Sequence, residues 1–165
     1  MFEPEAKSAV WGISPVLFIV GCTYHILSIA LPHWLASANV HLGLWDYCVT
    51  GGPCVGIAEI ISDSDWGWYR TVQGLEIAAT VFVLTALVTG LMRVNLGHNI
   101  WQTACGLCAF AAGIFSVAGS VVYGKNYTDF SNVTLSWAYV FNVVSGSMTL
   151  ASGPIMVVDA IVYSH

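Results

Sequence analysis

Leu31-Pro32-His33-Trp34, then Gly43-Leu44-Trp45, then Cys48 and Cys54 on either side of Thr50-Gly51-Gly52-Pro53: this is the stretch whose reading decides the fold. Leu42, Leu44, Asp46 and Cys48 alternate with Gly43, Trp45, Tyr47 and Val49, as the two faces of one strand would. The Thr-Gly-Gly-Pro segment is strong turn chemistry. Cys54-Val55-Gly56-Ile57 can return as the partner strand. Cys48 and Cys54 would then face each other across a hairpin, within reach of a disulfide. Closing so short a loop contributes roughly 2–3 kcal/mol in the chain-entropy model. That matters for a sheet this small, because an isolated hairpin is marginal in water.

On either side of this stretch the chain turns apolar. Of its 165 residues 57% are hydrophobic and only 8% charged, against about 25% charged in soluble domains. Apolar runs extend from about Val10 to Leu31, Leu75 to Met92, Ile100 to Tyr123 and Leu135 to Val162. Each approaches or exceeds the ~20 residues that cross a bilayer. Four spans and their loops nearly exhaust the chain, so residues 1–165 read as a single tetraspan domain. The expected fold is a mainly α, four-helix transmembrane bundle. A small antiparallel extracellular β-sheet comes mostly from the first loop. The first run is too long, and its Met1–Lys7 flank too acidic, for a cleaved signal peptide. The loops at about 32–74 and 124–134 lie on one side. The oxidising environment that a Cys48–Cys54 bond needs and the sequons at Asn126 and Asn132 both mark that side as extracellular. Both termini are then cytoplasmic.

The motif of a Trp at 34, Gly43-Leu44-Trp45 and two spaced cysteines resembles the signature of the claudin, epithelial membrane protein and peripheral myelin protein superfamily. Arg70 before the second span, Ile100-Trp101-Gln102 with Gly106-Leu107-Cys108 in the third, and Ser136-Trp137-Ala138 opening the fourth extend the resemblance over nearly the whole chain. Two features depart from it. The cysteines are closer together than in most claudins, and the chain stops at Tyr163-Ser164-His165 without the tail that adds a strand to a PDZ domain.

The resemblance implies either of two roles at the plasma membrane. One is a structural, adhesive or paracellular-barrier role at cell–cell junctions, with partners beside it in the membrane or in trans across cells. The alternative is an auxiliary subunit or membrane-organising regulator, packed laterally on a channel, receptor or adhesion complex. The missing tail leans toward the second and the acidic loop toward the first, which is taken as the leading reading. Asp46, Glu59, Asp63 and Asp65 stand against Arg70 in that loop. They read as a solvated acidic surface or, following the claudins, as the lining of a cation path. Val55-Gly56 just past the second cysteine weakens the latter.

The rest of the chain yields expectations about packing. Trp34 and Trp45 should lie under the sheet near the headgroups, and Trp66, Trp68 and Tyr69 should form an interfacial aromatic belt. Small residues crowd the third and fourth spans, with Gly113, Gly119, Gly146 and Gly153 the candidates for close helix approach. His25 and Asn142 should hydrogen-bond within the bundle, while Glu76 and Asp159 should reach headgroup water near the span ends. Cys22, Cys105 and Cys108 should be free thiols. The few basic residues argue against nucleic acid. No nucleophile–base pair, phosphate loop or metal cluster is legible, so neither an enzyme nor a cofactor is expected.

Asn132, in the middle of its loop, is the expected glycan carrier, since Asn126 lies close to the membrane. Asn132→Gln should abolish the mobility shift that a glycosidase produces, and Asn126→Gln should leave it. A tag at His165 should be reached by antibody only after permeabilisation.

Overall fold

A computed structural model gives the structure of residues 4–60, 66–127 and 133–162, with the backbone course alone for 4–12 and 60. Four long helices dominate it: α1 (Pro4–Ala30), α3 (Gly67–Leu96), α4 (Asn99–Asn126) and α5 (Trp137–Val162). Each holds a stretch long and apolar enough to cross a membrane. Their 26 to 30 residues rise about 40–45 Å, more than the ~30 Å of a hydrocarbon core, so helix ends extend past it.

The start of α3 corrects the expected boundary near Leu75. Residues 67–74 carry little hydropathy, yet they are helical because Tyr69, Val72 and Gln73 engage the first loop. Tyr69 and Val72 are fully buried there, and Gln73 bonds to the loop backbone. At the other end Gly97 closes α3 in the left-handed region (φ 74°), its N–H bonded to the Arg93 carbonyl at 3.0 Å. This turn passes the chain directly into α4.

α1 packs along α5, α5 along α4 and α4 along α3, while α1 and α3 scarcely meet. Lipid tails are as apolar as leucine, so helices in a bilayer associate through close packing and hydrogen bonds. The small residues serve that end inside the bundle. A Cβ on Gly153 would stand 2.7 Å from the Gly106 carbonyl oxygen, and one on Gly106 would stand 2.7 Å from that of Gly153. A Cβ on Gly113 would meet the Leu150 backbone at 2.5 Å, and one on Gly146 the Val117 side chain at 3.0 Å. Gly119 makes room for the Glu76 carboxylate.

The sheet has the order β4-β3-β2-β1-β5, antiparallel throughout. Its strands are β1 (Leu35–Ala36), β2 (Val40–Leu42), β3 (Asp46–Val49), β4 (Cys54–Gly56) and β5 (Thr134–Leu135). The first four come from the first loop and β5 from the last. A one-turn helix, α2 (Ile57–Ile60), follows β4. The single strand expected over Leu42–Val49 is in fact two. Gly43, Leu44 and Trp45 turn the chain between β2 and β3, with Gly43 N bonded to Asp46 O at 2.8 Å. Period-two alternation continued through the turn and hid it.

Gly113→Leu should overpack the α4–α5 seam and cost at least about 1–3 kcal/mol. A lower melting temperature in mild detergent, with loss of surface delivery, would register it.

Candidate functional site

The turn at Gly43–Trp45 is where the sheet meets the bundle. Gly43 is required by close approach: a Cβ there would fall on Pro32 Cα. The Tyr69 hydroxyl donates to the Gly43 carbonyl, and Gln73 Nε2 donates to the Leu44 carbonyl at 2.8 Å. Both side chains come from the first turns of α3. Trp34 is wholly buried. Its indole N–H donates to the Ser28 carbonyl at the end of α1, 2.8 Å away, and its ring meets Tyr123 of α4 edge to face at 4.8 Å. Trp34, Leu44, Tyr69 and Tyr123 thus share one core with Leu35, Ile57, Val72 and Ala138. Three long helices and the loop converge on it.

The signature residues therefore divide by task. Trp34, Gly43 and Leu44 mount the sheet. Trp45 is not under it: the residue is 38% exposed, and its carbonyl accepts from Ile57 N at 2.8 Å. Tyr69 is not an interfacial anchor but the centre of the mount, and Trp66 and Trp68 pack against the same core partly buried. Arg70 is exposed on the first turn of α3. Sequence reasoning missed Gln73 and Tyr123 altogether. A hydrogen-bonding aromatic or amide just inside a span was the one signal available.

Within the sheet, Cys48 pairs with Cys54 in register and the two form a disulfide, with Cα atoms 4.1 Å apart. Gly51 supplies the positive φ (78°) of the hairpin turn. Val49 and Val55 are exposed beside the bond, as are Asp46 and Glu59. Asp63 and Asp65 lie outside the described residues. At the other end of the sheet His33 stacks between His41 (4.7 Å) and Trp137 (4.9 Å). Partial burial, and then His41, hold the His33 imidazole below its ordinary range, which favours the neutral stacked ring. Asn126 is half-buried at the end of α4, and its Nδ2 donates back to the Val122 carbonyl at 2.7 Å. Asn132 lies outside the described residues.

Below the mount the bundle holds a polar cluster. Asn142 Nδ2 donates to Glu76 Oε1 at 2.7 Å and to Ser120 Oγ at 3.0 Å. The Ser116 hydroxyl donates to Asn142 Oδ1 at 3.2 Å. The Thr80 hydroxyl donates to the Glu76 carbonyl at 2.7 Å, leaving its oxygen to accept from His25 Nε2–H at 3.0 Å. His25 Nδ1 then faces Glu76 Oε2 at 3.9 Å. Glu76 is fully buried, which corrects its expected access to headgroup water. With α3 starting at Gly67, it lies more than two turns inside the helix. Asp159 is also buried, at 4% exposure. Cys22, Cys105 and Cys108 are free thiols, Cys108 only partly buried.

The arrangement offers a rigid, shaped surface and a sealed polar interior. Among the described residues no three metal-ligating side chains converge. A family model described as PMP-22/EMP/MP20/Claudin matches residues 10–156. No curated protein matches the chain.

Tyr69→Phe removes the hydroxyl that satisfies the buried Gly43 carbonyl, at a cost of about 1–3 kcal/mol. The expected result is faster proteolysis of the first loop with the bundle intact, read by limited digestion of the purified protein.

Proposed function

Because this chain belongs to the PMP-22/EMP/MP20/claudin family, whose model covers residues 10–156, we propose that it is a plasma-membrane tetraspan acting at cell–cell contacts through its disulfide-pinned first loop. The observation that carries this reading is the mount. Tyr69, Gln73 and Trp34 tie the sheet to three helices, and the sheet shows Trp45, Val49 and Val55 to its surroundings. A surface used only as a solvated cap would need neither the rigid attachment nor the exposed apolar residues. Rigid presentation lowers the ordering cost of binding, which suits adhesion between molecules on facing membranes. The disulfide favours the sheet side as the oxidising, extracellular one, with both termini cytoplasmic and the glycan at Asn132.

The lateral, auxiliary reading loses support at the residues expected to serve it. Gly113, Gly119, Gly146 and Gly153 are occupied inside the bundle and offer no free docking face. The acidic positions at hand, Asp46 and Glu59, are exposed, which suits a solvated rim at least as well as a cation path.

Expressed in cells that lack such proteins, the tagged chain should concentrate at cell–cell contacts. Val49→Glu with Val55→Glu, which leaves the mount and the disulfide in place, should spread it evenly over the surface. Cys48→Ser should do the same with reduced surface delivery. Uniform distribution of the unaltered chain, with unchanged transepithelial resistance, would replace this reading by the auxiliary one.

A further inference from the structure

At the end of the bundle away from the sheet, α1 and α3 stand apart. Nearer the sheet His25 bridges to Thr80, but below that the two helices leave a cleft of about 380 Å³. Phe18 and Ile19 form one wall, and Leu87 and Leu91 the other. Gly90 keeps the space open, since a Cβ there would meet only Cys105 Sγ, at an unforced 3.5 Å.

Apart from these apolar walls, the cleft is lined at one end by Arg93, Gln102 and Asp159. Arg93 Nε donates to Gln102 Oε1 at 3.2 Å, and Gln102 Nε2 donates to Asp159 Oδ2 at 3.1 Å. Asp159 is 4% exposed, and its Oδ1 has no hydrogen-bond partner among the described residues. A buried carboxylate oxygen left unmatched is costly. Each of the three residues sits about 4.5 Å, three residues' rise, from the last or first described residue of its helix, so all three lie near the same end of the bundle.

We propose that this cleft is a binding site for a single phosphatidylethanolamine. One acyl chain lies between α1 and α3, the phosphate lies toward Arg93, and the ammonium donates to Asp159 Oδ1 once that sealed carboxylate turns toward the cleft. The headgroup chemistry favours this lipid, since phosphatidylserine, which shares its ammonium and phosphate, adds a carboxylate that Asp159 would repel. The primary ammonium of phosphatidylethanolamine carries N–H donors beside a phosphate, matching an acceptor beside a guanidinium. A choline headgroup has no N–H to give. A phosphatidylglycerol answers Arg93 but brings no cation to Asp159. A sterol hydroxyl answers Asp159 but leaves Arg93 without an anion. The volume lies at the low end of small-molecule sites and takes one chain, leaving the second in the bilayer. Such a lipid would fill the space between α1 and α3 that the described side chains leave open. The site does not depend on the junctional reading.

The test uses the whole chain, purified in mild detergent, stripped of lipid and placed in nanodiscs. Retained lipid is counted by native mass spectrometry after release. One phosphatidylethanolamine per chain should be retained about tenfold over phosphatidylcholine with the same acyl chains, as a charged hydrogen bond would give. Stepwise N-methylation of the headgroup should erode the preference as donors disappear. Asp159→Asn should reduce it, and Gly90→Leu should abolish retention by filling the groove. Ile19→Trp, at a position on the lipid-facing wall, provides a second block should Gly90→Leu fail to fold. Equal retention of the two lipids, preference for phosphatidylglycerol or a sterol, or retention untouched by both groove-filling variants would each overturn the proposal.

Discussion

Two carbonyls, those of Gly43 and Leu44, must be satisfied at the point where the chain leaves the membrane, and the answer from Tyr69 and Gln73 organises what surrounds them. A buried backbone oxygen without a partner is costly, so the turn between β2 and β3 is held against the first turns of α3. That contact makes residues 67–74 helical where hydropathy alone would end the span. It also brings Gly43 so close to Pro32 that no side chain fits, and it draws Trp34, Leu44 and Tyr123 into one aromatic core. The strands then need only their ladder and the Cys48–Cys54 bond to complete a sheet too small to persist alone.

Deeper in the bundle the same economy of partners applies to side chains. Glu76, Asn142, His25 and Thr80 would each be expensive in hydrocarbon, and that cost is offset where they bond to one another across α1, α3 and α5. Gly119 admits the Glu76 carboxylate, so a small residue and a polar one form a single device. The glycine contacts of α4 with α5 do the rest by van der Waals approach. Among the described residues α1 and α3 scarcely meet away from the sheet, and an apolar cleft lies between them. There polar groups are left at the rim of an apolar cleft, an arrangement that a lipid completes.

The exposed face of the sheet bears on function because the mount leaves it little freedom. Val49 and Val55 are presented by strands, and Trp45 by the turn before β3, on a sheet tied to three helices. The family match supports a multi-pass membrane protein of this kind. In this chain Trp34, Gly43-Leu44-Trp45 and the two cysteines are parts of one joint and the sheet it carries.

The amino-acid sequence by itself determined that there are four spans and a small sheet beside them. Those features come from local properties: apolar runs longer than a bilayer needs, a Gly-Gly-Pro turn between two cysteines, and a paucity of charge that no soluble surface could tolerate. Which polar residues lie inside was not local. Glu76 looked as though it could reach headgroup water only because the helix start was read from hydropathy. Tyr69 looked like an interfacial anchor because aromatic residues at a span edge serve both purposes, and Gly43–Trp45 passed for strand because alternation does not reveal a turn. Tertiary structure decided these points, because a hydrogen bond between residues 26 or 66 positions apart leaves no periodic trace in the chain. Only the folded bundle establishes which donor lies opposite which acceptor.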